Sequence, residues 1–191
     1  MSLKKIFTLL EVGLFQLLEK ISTAISVENL LKRKINSNKK DTFSAWILAN
    51  RYVDESRYVE AKKVLDSIFD EGKNNKDFIF LQSRVCYHLN EYNNIITLLS
   101  NNNLLNDSDE ENFYLGMGYL EEKNYKLAIE YLSKYVIYFK PKEFMPYLKL
   151  GLAYLRTDDF ENAKANYEIA KTLGGPTKQI DELISEVSVK K

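Results

Sequence analysis

The sequence predicts an all-α protein built from stacked antiparallel helix pairs. Three observations carry this expectation. A five-position pattern of small and aromatic residues recurs four times at near-constant spacing, polar capping residues separate the apolar stretches, and strict apolar–polar alternation nowhere argues for a strand. Only three prolines and seven glycines interrupt 191 residues, so long helices meet few breakers. Apolar residues, at 45%, supply enough surface for a sizeable core.

The pattern is plainest when the small and aromatic residues are aligned. Ala49, Tyr52, Tyr58, Ala61 and Leu65 follow one another at steps of three, six, three and four. Ser83, Cys86, Tyr92, Ile95 and Leu99 keep those steps, as do Gly116, Tyr119, Tyr125, Ala128 and Leu132. Gly151, Tyr154, Phe160, Ala163 and Tyr167 complete the series, and successive starts lie 34, 33 and 35 residues apart.

These residue types suit paired helices. The leading small residue lets the second helix of a pair approach the first, and the aromatic that opens the second helix wedges between them. The next small residue (Ala61, Ala128, Ala163) lets neighbouring pairs pack, whereas Ile95 in that place should push the second and third pairs slightly apart. Asp54-Glu55-Ser56, Asn90, Asn124 and Asp158-Asp159 supply turns and caps. The expected helices span 42–54, 58–71, 76–89, 92–101, 109–122, 125–139, 144–156 and 160–173. Ala49, Tyr58, Ala61, Gly116, Tyr119, Ala128, Gly151, Tyr154 and Ala163 should be core.

The whole pattern resembles the tetratricopeptide-repeat (TPR) family, whose helix-turn-helix unit is about 34 residues long. The fourth unit matches best, from Tyr147 through Gly151, Tyr154, Phe160, Ala163, Tyr167 and Ala170 to Pro176. The third, Leu115-Gly116 through Tyr119, Ala128 and Tyr135 to Pro141, is nearly as good. The first lacks a closing proline, and the second departs at Ser83, Cys86 and Ile95. The resemblance implies a right-handed α-α superhelix, a TPR solenoid, with four helix pairs over residues 42–175. An amino-terminal helical segment (1–41) and a carboxyl-terminal capping helix (176–191) flank them.

Both flanks read as helical. After Pro176-Thr177, the residues Ile180, Leu183, Ile184 and Val187 fall on one stripe. Near the start, Phe7, Leu10, Leu14, Leu17 and Ile21 form a heptad-like seam with Ile6, Leu9 and Leu18 beside it. Lys4-Lys5 before that run has the outline of a signal peptide, but Glu11, Gln16 and Glu19-Lys20 interrupt it and it is too short to span a bilayer. A second short helix from Ser26 to about Ile35 leads to a polar loop at Asn36–Asp41. The pair is either a degenerate repeat, with Phe15 where a small residue belongs, or a docking element. A helix so apolar should pack on protein, most simply the first repeat, as a dimer contact or a partial lid.

Composition narrows the function. Lys+Arg and Asp+Glu balance at 27 each, so no global field draws nucleic acid, and Lys32-Arg33-Lys34 reads as a solvated face. Cys86, the only cysteine, has no disulfide partner, and with His88, the only histidine, it cannot build a zinc site. A lone cysteine fits a reducing, cytoplasmic setting. There is no glycine-rich phosphate loop and no His-Glu-x-x-His, so neither a catalytic set, a metal nor an organic cofactor is expected.

The resemblance also places a function. TPR arrays bind partners in a concave groove lined by the first helix of each pair. Carried onto this chain, the groove presents Phe43, Trp46, Asn50 and Val53; then Asp77, Phe80, Arg84, Tyr87 and His88; then Glu110, Phe113, Met117, Leu120 and Glu121; and last Met145, Leu148, Leu152, Leu155 and Arg156. The residues expected to touch a partner are Trp46, Asn50, Phe80, Arg84, Tyr87, Phe113, Met117, Leu148 and Leu152. TPR receptors for chaperone tails hold a carboxylate pair with lysines, asparagines and an arginine. Asn50 fits one such asparagine, but Trp46, Leu81, Glu110 and Tyr114 stand where the other clamp residues would be. An apolar groove suits an amphipathic helix or an extended segment instead. Three readings stay open: an external protein in the groove, a subunit of a homo- or hetero-oligomer whose groove is filled by its own or a neighbour's amino-terminal helix, and a membrane-associated protein anchored by the amino-terminal amphipathic segment.

Overall fold

The computed structural model describes residues 27–38, 41–100 and 108–189. The expected helix over residues 4–21, with its seam and dimer contact, lies outside the described residues. Among the described residues every regular element is a helix. The chain divides into two compact units, the first ending at Gly72 and the second beginning at Lys73.

Unit 1 holds α1 (Val27–Ser37), α2 (Thr42–Asp54), α3 (Tyr58–Asp66) and the short α4 (Phe69–Gly72). Asp41 caps α2, accepting from the Ser44 N–H at 2.9 Å. Packing of α2 on α3 buries Ala45, Leu48, Ala49, Tyr52, Ala61 and Leu65. The single helix expected over 58–71 is corrected here to two pieces. The Ser67 hydroxyl donates to the Val64 carbonyl at 2.7 Å, and the Ile68 N–H donates to Leu65, three residues back, at 3.2 Å. That tighter turn ends α3 and carries Ile68 into full burial.

Unit 2 holds α5 (Lys76–His88), α6 (Tyr92–Ser100), α7 (Asp109–Glu121), α8 (Tyr125–Phe139), α9 (Met145–Leu155), α10 (Phe160–Thr172) and α11 (Thr177–Val189). Each helix packs on the next, and the first helices of successive pairs, α5 with α7 and α7 with α9, also touch. The remaining helix ends agree with the expected ones to within a residue or two. Asn75, Ser108, Asn124 and Asp159 cap α5, α7, α8 and α10 through their side chains.

The 34-residue rhythm reappears in the backbone. Ser56, Asn90, Lys123 and Asp158 all take the left-handed conformation at φ 58–62°, one in each turn within a pair. Each turn then closes identically. The N–H groups of Arg57, Glu91, Asn124 and Asp159 donate to the carbonyls of Tyr52, Cys86, Tyr119 and Tyr154, while the left-handed residue donates to the carbonyl three before it. This is the Schellman closure of a helix end, made without glycine in all four turns.

The small residues act as their positions require. A Cβ added at Gly116 would lie 2.6 Å from Leu132 Cγ, and one at Gly151 would lie 2.6 Å from Tyr167 Cε1. Ala49, Ala61, Ala128 and Ala163 are fully buried. Tyr58, Tyr119 and Tyr154, expected in the core, are only half-buried. Their phenol oxygens need partners: Tyr119 Oη is 3.3 Å from Ser100 Oγ and Tyr154 Oη is 3.4 Å from Ser133 Oγ, both near the surface. Ile95 is fully buried, and α6 still packs on α7. The helices close up beside it at Gly118, where an added Cβ would lie 3.1 Å from Ile96 Cγ1.

Candidate functional site

In unit 2, the first helices α5 and α7 and the second helix α8 bring five aromatic rings into one chain. Tyr87 on α5 meets Phe113 and Tyr114 on α7 at 5.8 and 5.9 Å between ring centroids. Phe113 continues to Tyr135 on α8 at 5.3 Å, and Tyr135 to Phe139 at 5.9 Å. In the resulting chain of five rings, Tyr87, Phe113 and Tyr135 rest on a buried layer of Met117, Leu132, Val136 and Leu150. Four of the rings are half-buried and Phe139 is exposed, so each keeps surface for a ligand. Inverse burial of this kind, apolar surface held open above a packed floor, marks interaction sites more often than monomer surface.

The residues expected in the groove divide into two sets. Tyr87 and Phe113 join the ring chain, Arg84 is exposed beside it, and Leu148 and Leu152 are half-buried against the core of the last pair. Five expectations need correction: Val53, Leu120 and Leu155 are buried, at 3%, 4% and 7% exposed, and so are Phe80 and Met117. Phe80 is 9% exposed and Met117 1%, so they support the face from beneath instead of lining it. The Lys76 ammonium sits over the Phe80 ring at 5.4 Å. In unit 1, Trp46 is 39% exposed, and the Asn50 amide donates to the Trp46 carbonyl at 2.9 Å, along its own helix.

Tyr114, Tyr135 and Phe139 extend the site beyond the residues anticipated from spacing. The signal was available for the last two, since positions four apart on a helix share a face.

Charges border the rings unevenly. Burial pushes the Tyr114 hydroxyl up to about 12, with Arg84 pulling it the other way. Burial also pushes up Tyr135, and the carboxylates of Glu143, Asp109 and Glu110 push in the same direction. Asp109 and Glu110 share a hydrogen bond: it raises Glu110, with burial adding to the rise, and holds Asp109 down. His88 is lowered by burial and by Arg84. Cys86 is buried, with its Sγ 3.8 Å from Glu91 Oε2. Elsewhere, an open recess of about 870 Å³ lies where the start of α10 meets the end of α11, bordered by Asp158, Asp159, Glu161, Lys164 and Glu168. No helix among the described residues is long and apolar enough to cross a membrane.

Helix pairs closed by repeating left-handed turns, with the first helices of unit 2 packed on one another, define an all-α fold of TPR type. No family model and no curated protein sequence matches the chain. Solved structures do. MamA from Desulfovibrio magneticus RS-1, residues 41 to its end, is 20% identical, with a TM-score of 0.67 over 80% of this chain and 85% of that one. YrrB, a TPR protein with an unusual peptide-binding site, is 19% identical, with a TM-score of 0.66 over 83% and 82%. A further crystal structure of MamA is 18% identical, with a TM-score of 0.66 over 76% and 80%. The chain has the tetratricopeptide-repeat fold.

Proposed function

We propose that this chain is a non-enzymatic scaffold or adaptor that binds another protein, taking a helical or extended peptide on the first-helix face of its repeats. The observation that carries this reading is the chain of rings from Tyr114 through Tyr87, Phe113 and Tyr135 to Phe139. Aromatic side chains and arginine contribute most of the affinity at protein interfaces, and Arg84 stands next to the rings. The peptide-binding site of YrrB, a protein of similar fold, supports the class of function. In this reading residues 42–175 form the binding array, residues 176–191 cap it, and the protein works in the cytoplasm without metal or organic cofactor.

A capture experiment tests it. Full-length protein and Phe113→Ala, matched by circular dichroism, would be used as baits in a lysate of the source cell. The reading expects a specific partner on the wild type and at least about a tenfold loss on the variant, the effect of a residue worth about 1.4 kcal/mol or more. Equal capture by both would overturn it.

A second reading has its own support in unit 1. Val27 and Leu30 on α1, and Phe43 and Trp46 on α2, are exposed apolar residues. The amino-terminal segment, docked on these residues in the same or a neighbouring copy, would make the protein a subunit of a homo-oligomer. Removal of residues 1–21, followed by light scattering, separates the readings: unchanged mass and stability would exclude the second.

A further inference from the structure

In the register of the repeat, α1 stands as a second helix. Val27, Leu30 and Leu31 lie 34 residues before Ala61, Val64 and Leu65 of α3. α1 also packs on α2 as α6 packs on α7 and α8 on α9. In burial, however, it breaks the series. Ala61, Ile95, Ala128 and Ala163 are fully buried, whereas Val27 is 48% exposed. Leu65, Leu99, Leu132 and Tyr167 are buried, whereas Leu31 is half-buried. Val64, Leu98, Tyr131 and Asn166 are half-buried, whereas Leu30 is exposed. The first two of these positions meet the first helix of their own pair. A Cβ added at Gly116 would lie 2.6 Å from Leu132 Cγ, and one at Gly151 would lie 2.6 Å from Tyr167 Cε1 and 3.1 Å from the Ala163 carbonyl oxygen. α1 is thus open on the side that faces its own first helix in the other pairs. Across from it, Trp46, Phe80, Phe113 and Leu148 share one register position on first helices, and Trp46 alone of the four is exposed. First helices in unit 2 pack side by side, α5 with α7 and α7 with α9. A first helix preceding α1 would cover α2 in the same manner.

We propose that residues 8–20 of the same chain are that helix, so that Val27, Leu30, Leu31 and Trp46 form the seat of the chain's own amino-terminal segment. Residues 8–20 lie outside the described residues, and the repeat is what places them: α2, at Thr42–Asp54, follows 34 residues later. Leu10, Leu14, Phe15 and Leu18 take the places of Ser44, Leu48, Ala49 and Tyr52, four of the six residues that α2 buries. Glu11 and Glu19 take the other two, and the outermost helix of a stack has a polar flank that no neighbour covers. Phe15 replaces the small residue of the other pairs, so α1 stands farther from this helix than α8 does from α7. The short link to α1 gives the segment a local concentration that a separate partner does not reach, and this selects the chain's own segment over an outside one. The inference rests on the surface of the second reading above and fixes its occupant.

Disulfide trapping in the full-length protein, on a Cys86→Ser background, tests the proposal. The variant Phe15→Cys/Val27→Cys repeats the Gly151–Ala163 contact, and Gln16→Cys/Val27→Cys turns the first thiol about 100° around the helix. Mild oxidation should close the first pair within one chain at least about tenfold faster than the second, seen as a faster monomer band on a non-reducing gel. Hydrogen exchange on the unmodified chain should show residues 8–20 protected at least about tenfold over an unstructured peptide. Val27→Asp should remove that protection and leave α7 and α8 unchanged. Closure of the first pair between two chains would overturn the proposal and leave the second reading standing in its neighbouring-copy form. Equal closure of both pairs, or unprotected residues 8–20 in the wild type, would overturn both.

Discussion

At the start of unit 1, α1 is held to the first helix pair largely by charge; at the end of unit 2, α11 is held to the last pair by apolar burial. Glu28 on α1 accepts from Lys32 at 2.6 Å, from the Tyr52 hydroxyl at 2.7 Å and from Arg57 at 3.2 Å. Arg57 also reaches Glu55 and Glu60 and lies over the Tyr52 ring at 4.3 Å. Only Ile35 of α1 is buried. On α11, Ile180 and Val187 are buried against Leu155, Ala163, Tyr167 and Ala170, with the Lys171–Asp181 pair at 2.6 Å on the outside. Two buried aliphatic side chains are worth about 1.5–3 kcal/mol each, whereas a solvent-facing ion pair contributes roughly 0–1 kcal/mol. One helix is therefore an apolar cap that salt and acid leave in place, and the other is a clasp that depends on both.

Mutations that break each attachment should differ accordingly. The largest effect is expected at Ile180→Ala, which empties a fully buried site and should cost about 2–5 kcal/mol by denaturant unfolding. Gly151→Leu comes next: a side chain there meets the buried Tyr167 ring, and overpacking should cost about 1–3 kcal/mol, read as a lower thermal midpoint.

Glu28→Gln should cost less, about 1 kcal/mol at neutral pH, and show its own pH signature. Hydrogen bonds from Lys32, then Tyr52 and Arg57, hold Glu28 down from 4.5 to about 2. A carboxyl depressed on folding stabilises fully above its unfolded value and loses that contribution as pH falls through the folded one. The wild type should therefore lose its advantage over the variant between about pH 4.5 and pH 2, and no such convergence should accompany Ile180→Ala. The smallest effect is a gain: Lys123→Gly relieves a left-handed lysine and should raise stability by about 0.5 kcal/mol. An unchanged midpoint there would argue against strain in the repeated turn.

Much of the fold was legible because the repeat imposes the same packing demand four times. Gly116 and Gly151 stand where the helices come closest, and both are sterically required to be small. The break after Asp66 was not legible, since it turns on one hydroxyl at Ser67 and on the burial of Ile68. The floor of the site was misjudged for a different reason. Helices in the middle of a stack are covered on most sides, and α7 buries Asn112, Leu115, Gly116, Met117, Gly118 and Leu120 around its circumference. Spacing within one unit cannot show how deeply such a helix is sunk, so Met117 and Phe80 read as surface. Tyr135 and Phe139 were missed because they sit on a second helix, while the expected groove was assigned to first helices alone.

Hydroxyl-radical footprinting of the protein with and without its captured partner tests the central claim most directly, because oxidation reads ring accessibility one residue at a time. Partner binding should lower the labelling of Tyr87, Phe113, Tyr135 and Phe139 together, and leave exposed Ile169 on α10 unchanged. Unchanged labelling of those four rings, with protection at Ile169 instead, would contradict the claim.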